Sequence, residues 1–236
     1  MNVIERILGG IEGGSVLDVA TQEGHFTQIL MEYLKSYTAI IGVDINQGAI
    51  ESAQSNFGDT DVHFRVTDAE RLEFKNACFD TVTISASLHH LTNIPQVLAE
   101  MVRVLKPGGN FILIEMHRDG QTEAALTSVY LHEWVAEVDT ALGNLHNRTL
   151  ARQEFENHVA DLRLRDIAFH YDNHVDSDPK EETRIEQLDD LIKTTMQRAE
   201  SATNDAELKA RGEQLRTRLH DIGAQREPII IIVGEK

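Results

Sequence analysis

The sequence is poor in cysteine, in basic residues and in long apolar runs, and each shortage excludes a class of protein. Its 236 residues include one cysteine, Cys78, which cannot form a disulfide within the chain. The longest strongly apolar run, residues 229–233, has the length of a strand, whereas a membrane-spanning helix needs about 18 apolar residues. The amino-terminal residues show neither a basic leader nor a long apolar segment. We therefore expect a cytoplasmic protein that does not cross a membrane.

The shortage of basic residues also bears on the partners of the protein. The chain has 22 lysine and arginine residues against 39 aspartate and glutamate residues, which gives a formal net charge of -17. Proteins that bind DNA or RNA usually present a basic surface that releases counterions from the phosphates. We therefore expect no nucleic acid partner. The hydrophobic content of 41% is sufficient for one sizeable core, so residues 1–236 are expected to form a single domain.

Short apolar runs alternate with amphipathic helical patterns through the first half of the chain. The helical spacing of apolar residues predicts helices at residues 26–34, 47–57 and 94–105, and the third is expected to end at the Pro-Gly-Gly of residues 107–109. The apolar runs predict strands at residues 16–20, 39–44, 62–66, 81–85 and 110–115. This alternation predicts an α/β fold, Rossmann-like and doubly wound, with a mostly parallel sheet. In such folds, ligands bind beyond the carboxyl ends of the strands.

The second half of the chain adds helices to this plan. One long amphipathic helix is predicted at residues 122–142, within a helical insertion at 119–146, and a shorter helix at 151–162. Residues 178–225 predict a helical hairpin with a break near residues 202–205. Further strands at residues 164–170 and 228–233 complete a sheet of seven strands.

Three of the predicted strands carry an aspartate in the strand or directly after it: Asp18, Asp44 and Asp68. A carboxylate at the end of a second strand can accept hydrogen bonds from both hydroxyls of a ribose. A carboxylate after the third strand can accept a hydrogen bond from an exocyclic amine such as that of adenine. Because the carboxyl ends of these strands meet at one edge of the sheet, the three positions together predict an adenosine site in a cofactor-binding core at residues 15–117.

Five motifs between residues 16 and 116 carry a resemblance to a known family: VLDVATQEG, GVDIN, RVTDAERLEF, FDTVTISASLHHL and RVLKPGGNFILIE. In order and spacing they resemble the class I S-adenosylmethionine-dependent methyltransferases, particularly the small-molecule branch typified by the ubiquinone and menaquinone biosynthesis enzymes. The resemblance implies S-adenosylmethionine as the cofactor and a small molecule as the methyl acceptor. It also implies that Asp44, followed by Ile45, binds the ribose and that Asp68 and the backbone of Ala69 contact adenine.

The resemblance further implies that the first loop lies against the amino-acid part of the cofactor, through Ala20, Gln22 and Gly24, and that Ser85 lines the sulfonium end. Asp18 is included in this set, although a structural role, in which it accepts hydrogen bonds from nearby backbone N–H groups, is the alternative. The family pattern is D-x-G-x-G-x-G, and this chain has Ala20 and Gln22 at the first two glycine positions. The side chain of Gln22 can point to solvent, donate its amide to the cofactor or obstruct the pocket.

Four residues after the fourth and fifth strands are candidates for catalysis: His89, His90, Glu115 and His117. Methyl transfer from a sulfonium requires mainly that donor and acceptor are aligned, so a base is needed only for an acceptor that must lose a proton. Histidine suits that task because its ordinary pKa is about 6.5. The alternative is that His89 and His90 serve the loop structure alone.

A metal site is not expected, although the chain has eleven histidines. The sequence contains no H-x-x-x-H helix with supporting acids and no cysteine pair. The residues that could surround a metal at one edge of the sheet are His89, His90, Glu115, His117, His170 and His174.

Two segments are candidates for covering the methyl acceptor. The helical insertion at 119–146 brings Tyr130, His132, Trp134 and His146 and is the preferred lid; the alternative is that its helix simply packs on the sheet. The hairpin at 178–225 has narrow apolar stripes between charged residues, which suits either an arm that pairs with itself or the contact of a homodimer.

Taken together, these features predict a methyltransferase that acts on a small molecule by in-line transfer. The main alternative is a catalytically inactive module that keeps the fold and binds a nucleoside-like ligand or a protein partner. A dehydrogenase is disfavoured, because its phosphate-binding loop requires glycines at the positions of Ala20 and Gln22.

Overall fold

The computed structural model describes residues 2–58, 61–172 and 178–236, and within these ranges the chain forms eight α-helices and seven strands. The helices are α1 (Val3–Leu8), α2 (His25–Tyr33), α3 (Gln47–Phe57), α4 (Ile94–Val104), α5 (Glu123–Ala141), α6 (Arg152–Ala160), α7 (Glu182–Ala199) and α8 (Asp205–Ile222). The strands are β1 (Ser15–Val19), β2 (Ala39–Asp44), β3 (Val62–Val66), β4 (Phe79–Ser85), β5 (Leu105–Met116), β6 (Arg165–Asp172) and β7 (Ile229–Glu235). Short 3-10 helices follow β3 and β4, at Ala69–Arg71 and Leu88–His90.

The strands form one sheet in the order β3-β2-β1-β4-β5-β7-β6. The pairs from β3 to β5 are parallel, and β7 runs antiparallel to both β5 and β6. The prediction of a Rossmann-like, mostly parallel sheet with seven strands is confirmed. The chain order reverses direction between β1 and β4, and the strand ends on either side of this switch point form the edge where a ligand is expected.

The strands have the character that burial on both faces requires. In β1, β4 and β5 most residues are buried, and two large apolar clusters cover the two faces of the sheet. Helix α4 shows how the flanking helices are specified: Asn93 caps its first turn, and its apolar side faces the sheet through Val97, Leu98, Met101 and Val104.

The structure corrects the sequence-based boundaries at several points. The short amino-terminal helix α1, which the sequence analysis did not predict, begins with a capping box formed by Asn2 and Glu5. Helix α4 ends at Val104, earlier than expected, because the chain already pairs with β4 from Leu105 onward. The Pro-Gly-Gly of residues 107–109 therefore lies within β5, beside an irregularity in its register, and does not itself end the helix.

The second half of the chain builds a three-helix bundle beside the sheet. Helices α5, α7 and α8 share a core to which each contributes apolar side chains, and the stripes of the hairpin are buried there. At the centre lies Trp134, which is fully buried and donates its indole N–H to the backbone oxygen of Leu208. Trp134 therefore packs against the hairpin and does not form aromatic surface over the ligand edge of the sheet. A homodimer through the hairpin stays a prediction: light scattering should show a dimer for the intact chain and a monomer when residues 178–225 are deleted, and an unchanged oligomer would contradict it.

Gly212 is a point of close contact in this bundle. A Cβ at this position would lie 2.7 Å from the Trp134 ring and 2.9 Å from the Met196 side chain. Alanine favours helix by about 1 kcal/mol over glycine, but overpacking a core costs about 1–3 kcal/mol. We expect Gly212→Ala to lower the free energy of unfolding by about 1 kcal/mol in urea titration. The exposed neighbour variant Glu213→Ala should change it by less than about 0.5 kcal/mol; a more stable Gly212→Ala would contradict this packing.

Among the residues that the structure describes, no helix combines the length and the apolar character needed to cross a membrane.

Candidate active site

A cavity of about 460 Å³ opens at the carboxyl ends of β1, β2 and β4, where the switch-point rule places a ligand. Its volume lies in the range of small-molecule and cofactor pockets. Six of the nine residues predicted to contact a cofactor line it: Ala20, Gln22, Asp44, Ile45, Asp68 and Ala69. The remaining three, Asp18, Gly24 and Ser85, are not among the described residues that line the cavity.

Asp44 organises the wall of the cavity at the end of β2. Its Oδ2 accepts a hydrogen bond from the backbone N–H of Gln22 at 3.0 Å, and its Oδ1 accepts one from Asn46 at 2.9 Å. Each carboxylate oxygen has a second lone pair that can accept from a ligand hydroxyl. The side chain is 9% exposed at the cavity wall, so it is held rigidly with little competing water. This arrangement fits the pair of hydroxyls on a ribose.

The first loop keeps the backbone shape that glycine usually supplies. The φ angles are +55° at Ala20, +50° at Gln22 and +88° at Gly24, so all three positions adopt the left-handed conformation. This conformation costs a residue other than glycine about 1 kcal/mol or more. The contacts of the loop therefore hold it in shape, and among them is the Gln22–Asp44 hydrogen bond. The side chain of Gln22 is exposed, and the cavity stays open beside it.

Asp18 and Gly24 support the loop from behind. Asp18 is 1% exposed and accepts hydrogen bonds from the hydroxyls of Thr21, Thr27 and Thr83 at 2.7, 2.7 and 2.9 Å. Its donors are thus threonine hydroxyls and not the expected backbone N–H groups. Burial raises the pKa of Asp18, against the lowering effect of these three donors. A Cβ at Gly24 would lie 2.5 Å from the ring of Phe57, so this glycine permits close packing of α2 against α3 and β3.

The opposite wall combines polar and apolar groups. Asp68 is exposed and caps the 3-10 helix after β3, because its Oδ1 accepts a hydrogen bond from the backbone N–H of Glu70 at 2.8 Å. Ile45 is 70% exposed, which is unusual for so large an apolar side chain, and it lies on the cavity. A planar ring stacked on Ile45 would shield it from water, and the Asp68 carboxylate is suited to accept from an exocyclic amine.

The charge of the cavity distinguishes between classes of ligand. Four carboxylates line it, those of Glu23, Asp44, Asp68 and Glu70, and none of the described residues on its wall is lysine or arginine. An acidic wall attracts a ligand with cationic groups and repels the pyrophosphate of a dinucleotide. The prediction against a dehydrogenase therefore gains an electrostatic argument from the structure.

The loop after β4 brings Ser87 to the cavity in the place expected for Ser85. The Oγ of Ser87 donates to the backbone oxygens of Ser85 at 2.8 Å and Ala20 at 3.2 Å, which ties the loops after β1 and β4 together. The chain turns at Ala86, where φ is +47°, and the side chain two residues past the strand is the one that faces the ligand edge. Further lining residues, which the sequence patterns did not predict, lie in the strand-end loops and in the helical turns that follow them: Glu23, His25, Asn46, Ala49, Thr67, Glu70, Leu91 and Thr92.

The structure brings three of the four catalytic candidates together. The buried Glu115 accepts hydrogen bonds from the backbone N–H groups of Leu88 and Met116, and its Oε1 lies 3.2 Å from Nδ1 of His89. The ring centre of His90 is 4.3 Å from that of His89, and His90 lines the cavity. Burial, followed by the neighbouring imidazoles of His89 and His146, lowers the pKa of His90, so this residue is neutral and can accept a proton at neutral pH.

His117, the fourth candidate, lies apart from this group. It is fully buried, its Nδ1 is 3.4 Å from Oδ1 of Asp119, and its ring packs edge-on against Tyr171 with a centre distance of 6.0 Å. Burial is the main cause that lowers the pKa of His117, with a smaller contribution from Arg152. His117 is not among the described residues of the cavity wall.

Two histidines from the helical insertion complete a cluster beside the cavity. His132 of α5 and His146 of the following loop approach His89, with ring centres 4.8 and 5.3 Å away from that of His89. Burial, together with the other three imidazoles, lowers the pKa of His132 to about 3. Of the possible ligands for a metal in the sequence analysis, His170 lies on β6 and His174 lies outside the described residues.

The backbone N–H of Gln22 offers a direct test of the first loop. Gln22→Pro removes this donor to Asp44 and cannot adopt a positive φ, so we expect it to weaken binding of S-adenosylhomocysteine at least about 10-fold. Gln22→Ala keeps the N–H and should change the affinity by less than about 3-fold, because the side chain is exposed. Isothermal titration calorimetry on both variants checks the pair. Binding at least 10-fold tighter in Gln22→Ala would show instead that the side chain obstructs the cavity.

Comparison with known proteins matches part of the sequence to a family. The methyltransferase domain family matches residues 17–113. The chain is 34% identical over 108 residues to the ubiquinone/menaquinone biosynthesis C-methyltransferase UbiE of Geobacter sulfurreducens, an alignment that covers 44% of this chain and 42% of that protein. The chain spans half or less of the length of the curated relatives that it matches first.

Solved structures extend the similarity of fold to the rest of the chain. The [4+2]-cyclase SpnF has a TM-score of 0.64 and 18% identity, with coverage of 99% of this chain and 78% of that chain. Phosphoethanolamine N-methyltransferase 2 of Haemonchus contortus, in complex with S-adenosyl-L-methionine, has a TM-score of 0.62 and 17% identity, with coverage of 99% and 51%. These similarities show the fold, whereas the match to the methyltransferase domain family is confined to residues 17–113.

Proposed function

We propose that the protein binds S-adenosylmethionine in the cavity at the carboxyl ends of β1, β2 and β4 and transfers its methyl group to a small-molecule acceptor. The observation that carries the proposal is the Asp44 carboxylate, fixed by the N–H groups of Gln22 and Asn46 at the wall of an acidic cavity. The Asp44 carboxylate can accept hydrogen bonds from the hydroxyls of a ribose, and the negative charge of the cavity favours a sulfonium over a pyrophosphate.

The remaining contacts of the cofactor follow from the lining of the cavity. The ribose would lie on Asp44, and adenine between Ile45 and the loop of Asp68 and Ala69. Gly24 is the N-cap of α2 and provides no side-chain cap, so the backbone N–H groups of the first turn of α2 are suited to the cofactor carboxylate. The sulfonium end would then face Ser87 and His90. When bound there, S-adenosylmethionine would supply an activated methyl group for in-line transfer to a lone pair of the acceptor.

The protein's own residues align the acceptor, exclude water and, where the acceptor must lose a proton, accept it. His90 is the best placed of the candidate bases, because it lines the cavity and is neutral at neutral pH. His89 and Glu115 lie behind it and hold the loop, whereas His117 is remote from the cavity wall. Helix α5 contributes His132 to this side of the site, and this contact supports the insertion at 119–146 as part of the acceptor cover.

The similarity to UbiE supports a quinone-type ring as the first acceptor to test. The family match ends at residue 113, so the insertion at 119–146, the proposed acceptor cover, lies outside it. The charge of -17 supports the absence of a nucleic acid partner, and the single cysteine suits the cytoplasm.

The main alternative is a binding module that keeps the fold without methyl transfer. An assay with methyl-labelled S-adenosylmethionine separates the two. A methyltransferase should transfer the labelled methyl group to a demethylated quinol or a related phenol. It should form one S-adenosylhomocysteine for each methyl group transferred. Tight cofactor binding without transfer to any acceptor of a broad phenol, enol and thiol panel would favour the module.

A further inference from the structure

Four histidines from three separate segments meet at the edge of the cofactor cavity. His89 and His90 lie on the 3-10 helix after β4, His132 on α5, and His146 in the loop after α5. The ring centres of His132 and His146 are 4.9 Å apart, and those of His90 and His146 are 4.3 Å apart. Because His90 also lines the cavity, the cluster lies directly beside the cofactor site.

Three of these side chains converge as metal ligands do. One ring nitrogen from each of His89, His132 and His146 lies within 4.8 Å of the other two. The Nε2 atoms of His132 and His146 are only 3.2 Å apart. Two nitrogen ligands at about 2.0–2.1 Å from a tetrahedral zinc ion are about 3.3 Å apart, so this pair already has the spacing of a shared ion. The third ligand atom lies within 4.8 Å of the other two, so it would have to approach them by at most about 1.5 Å to complete the site.

A carboxylate lies behind each of two of the three rings. Oδ2 of Asp139 lies 2.7 Å from Nδ1 of His146, and Asp139 is itself paired with Arg198. A proton on Nδ1 of His146 leaves a lone pair on its Nε2, the atom that faces His132. Oε1 of Glu115 lies 3.2 Å from Nδ1 of His89, and this buried nitrogen has no aligned hydrogen-bond partner among the described residues. Carboxylates behind imidazole ligands are the usual surroundings of protein zinc sites.

We propose that His89, His132 and His146 form a binding site for a divalent transition metal, of which zinc is the best match. Three neutral imidazoles suit zinc and its neighbours in the first transition series, and they disfavour calcium and magnesium, which prefer oxygen ligands. A three-histidine site leaves a fourth position for water or for an oxygen of the acceptor. The sequence predicts no metal site, because the three ligands come from segments that have no metal-binding spacing between them. The proposal does not depend on cofactor binding and goes beyond methyl transfer.

Metal titration of the whole chain tests the proposal without any cofactor. The protein is treated with chelator, dialysed, and titrated with zinc chloride by calorimetry and with cobalt(II) by visible absorption. We expect one equivalent of zinc to bind, and cobalt to give the intense visible bands of a four-coordinate ion. His132→Ala and His146→Ala each remove a ligand, so each should weaken zinc binding by more than about 100-fold. Asp139→Asn changes only the carboxylate behind His146 and should weaken zinc binding about 10–100-fold.

A matched control and a folding control complete the design. His63→Ala removes an exposed histidine of β3 far from the cluster and should bind zinc as the wild type does. Circular dichroism and melting of each variant show whether it is folded. If both alanine variants fail to fold, the cobalt spectrum and zinc stoichiometry of the wild type still decide. A wild-type protein that binds zinc no more tightly than folded His146→Ala, or gives only the weak cobalt spectrum of six-coordinate oxygen ligands, would overturn the site.

Discussion

Replacing Asp44 by alanine is expected to weaken the binding of S-adenosylmethionine and S-adenosylhomocysteine by at least about 100-fold. Two ribose hydroxyls would lose a charged acceptor, and each such hydrogen bond contributes about 1.5–3 kcal/mol. The loop would also lose the groups that hold the N–H of Gln22 and of Asn46. Isothermal titration calorimetry on the folded variant gives the change directly, and both losses act in the same direction.

Two further variants make this result specific. Asp44→Asn keeps the shape and one acceptor oxygen, so it should fall between the wild type and Asp44→Ala. Glu51→Ala removes one negative charge from an exposed position on α3 outside the cavity wall, and it should leave the affinity within about 2-fold. If Asp44→Ala bound the cofactor as tightly as Glu51→Ala does, the ribose could not lie on this carboxylate.

Asp18→Ala is expected to lower the free energy of unfolding by about 2–4 kcal/mol. The carboxylate is buried and accepts from the hydroxyls of Thr21, Thr27 and Thr83, and its removal leaves buried donors without an acceptor and a small cavity. Thr21 and Thr27 lie 2.9 Å apart and can bond to each other, which keeps the loss below the sum for three donors. Urea denaturation measures this change in the free energy of unfolding. Asp61→Ala, at an exposed position, is the control for loss of an acidic side chain.

The pH dependence of stability separates the charge of Asp18 from its hydrogen bonds. Burial raises the pKa of Asp18 above its ordinary value of 3.8, so the folded state holds this proton more tightly than the unfolded state. Its contribution to stability is therefore full at low pH and is lost as the pH rises through the raised pKa. Asp18→Asn cannot titrate and should lack this part of the pH profile. Identical pH profiles for the wild type and Asp18→Asn would contradict the raised pKa.

The cavity side of the candidate site could be predicted from the sequence because it depends on the order of neighbouring elements. Strand, turn and helix follow each other closely, and the carboxyl ends of parallel strands meet at one edge, so Asp44 and Asp68 converge without knowledge of distant contacts. Even the loop with one glycine keeps its shape, since Ala20 and Gln22 adopt positive φ angles. The order of the five motifs therefore predicted this site better than the number of glycines in the first loop did.

The rest of the site depends on side-chain direction and on long-range packing. Ser87 lines the cavity where Ser85 was expected, because one residue with positive φ turns the chain after β4. Trp134 and His132 lie on the same helix, yet Trp134 packs into the bundle and His132 approaches His89. His146 reaches the same cluster from a loop of irregular structure. Convergence of this kind has no signature in the spacing of residues along the chain.

Direct titration of the intact protein with S-adenosylhomocysteine is the measurement closest to the central claim, that the acidic cavity at the ends of β1, β2 and β4 is a cofactor site. The structure predicts saturable binding at one site per chain, with a Kd below about 1 mM, in the range of ordinary enzyme–substrate affinities. It also predicts that NAD, which carries a pyrophosphate, does not compete. A folded protein that shows no saturable binding of S-adenosylhomocysteine or S-adenosylmethionine at millimolar concentration would contradict the claim.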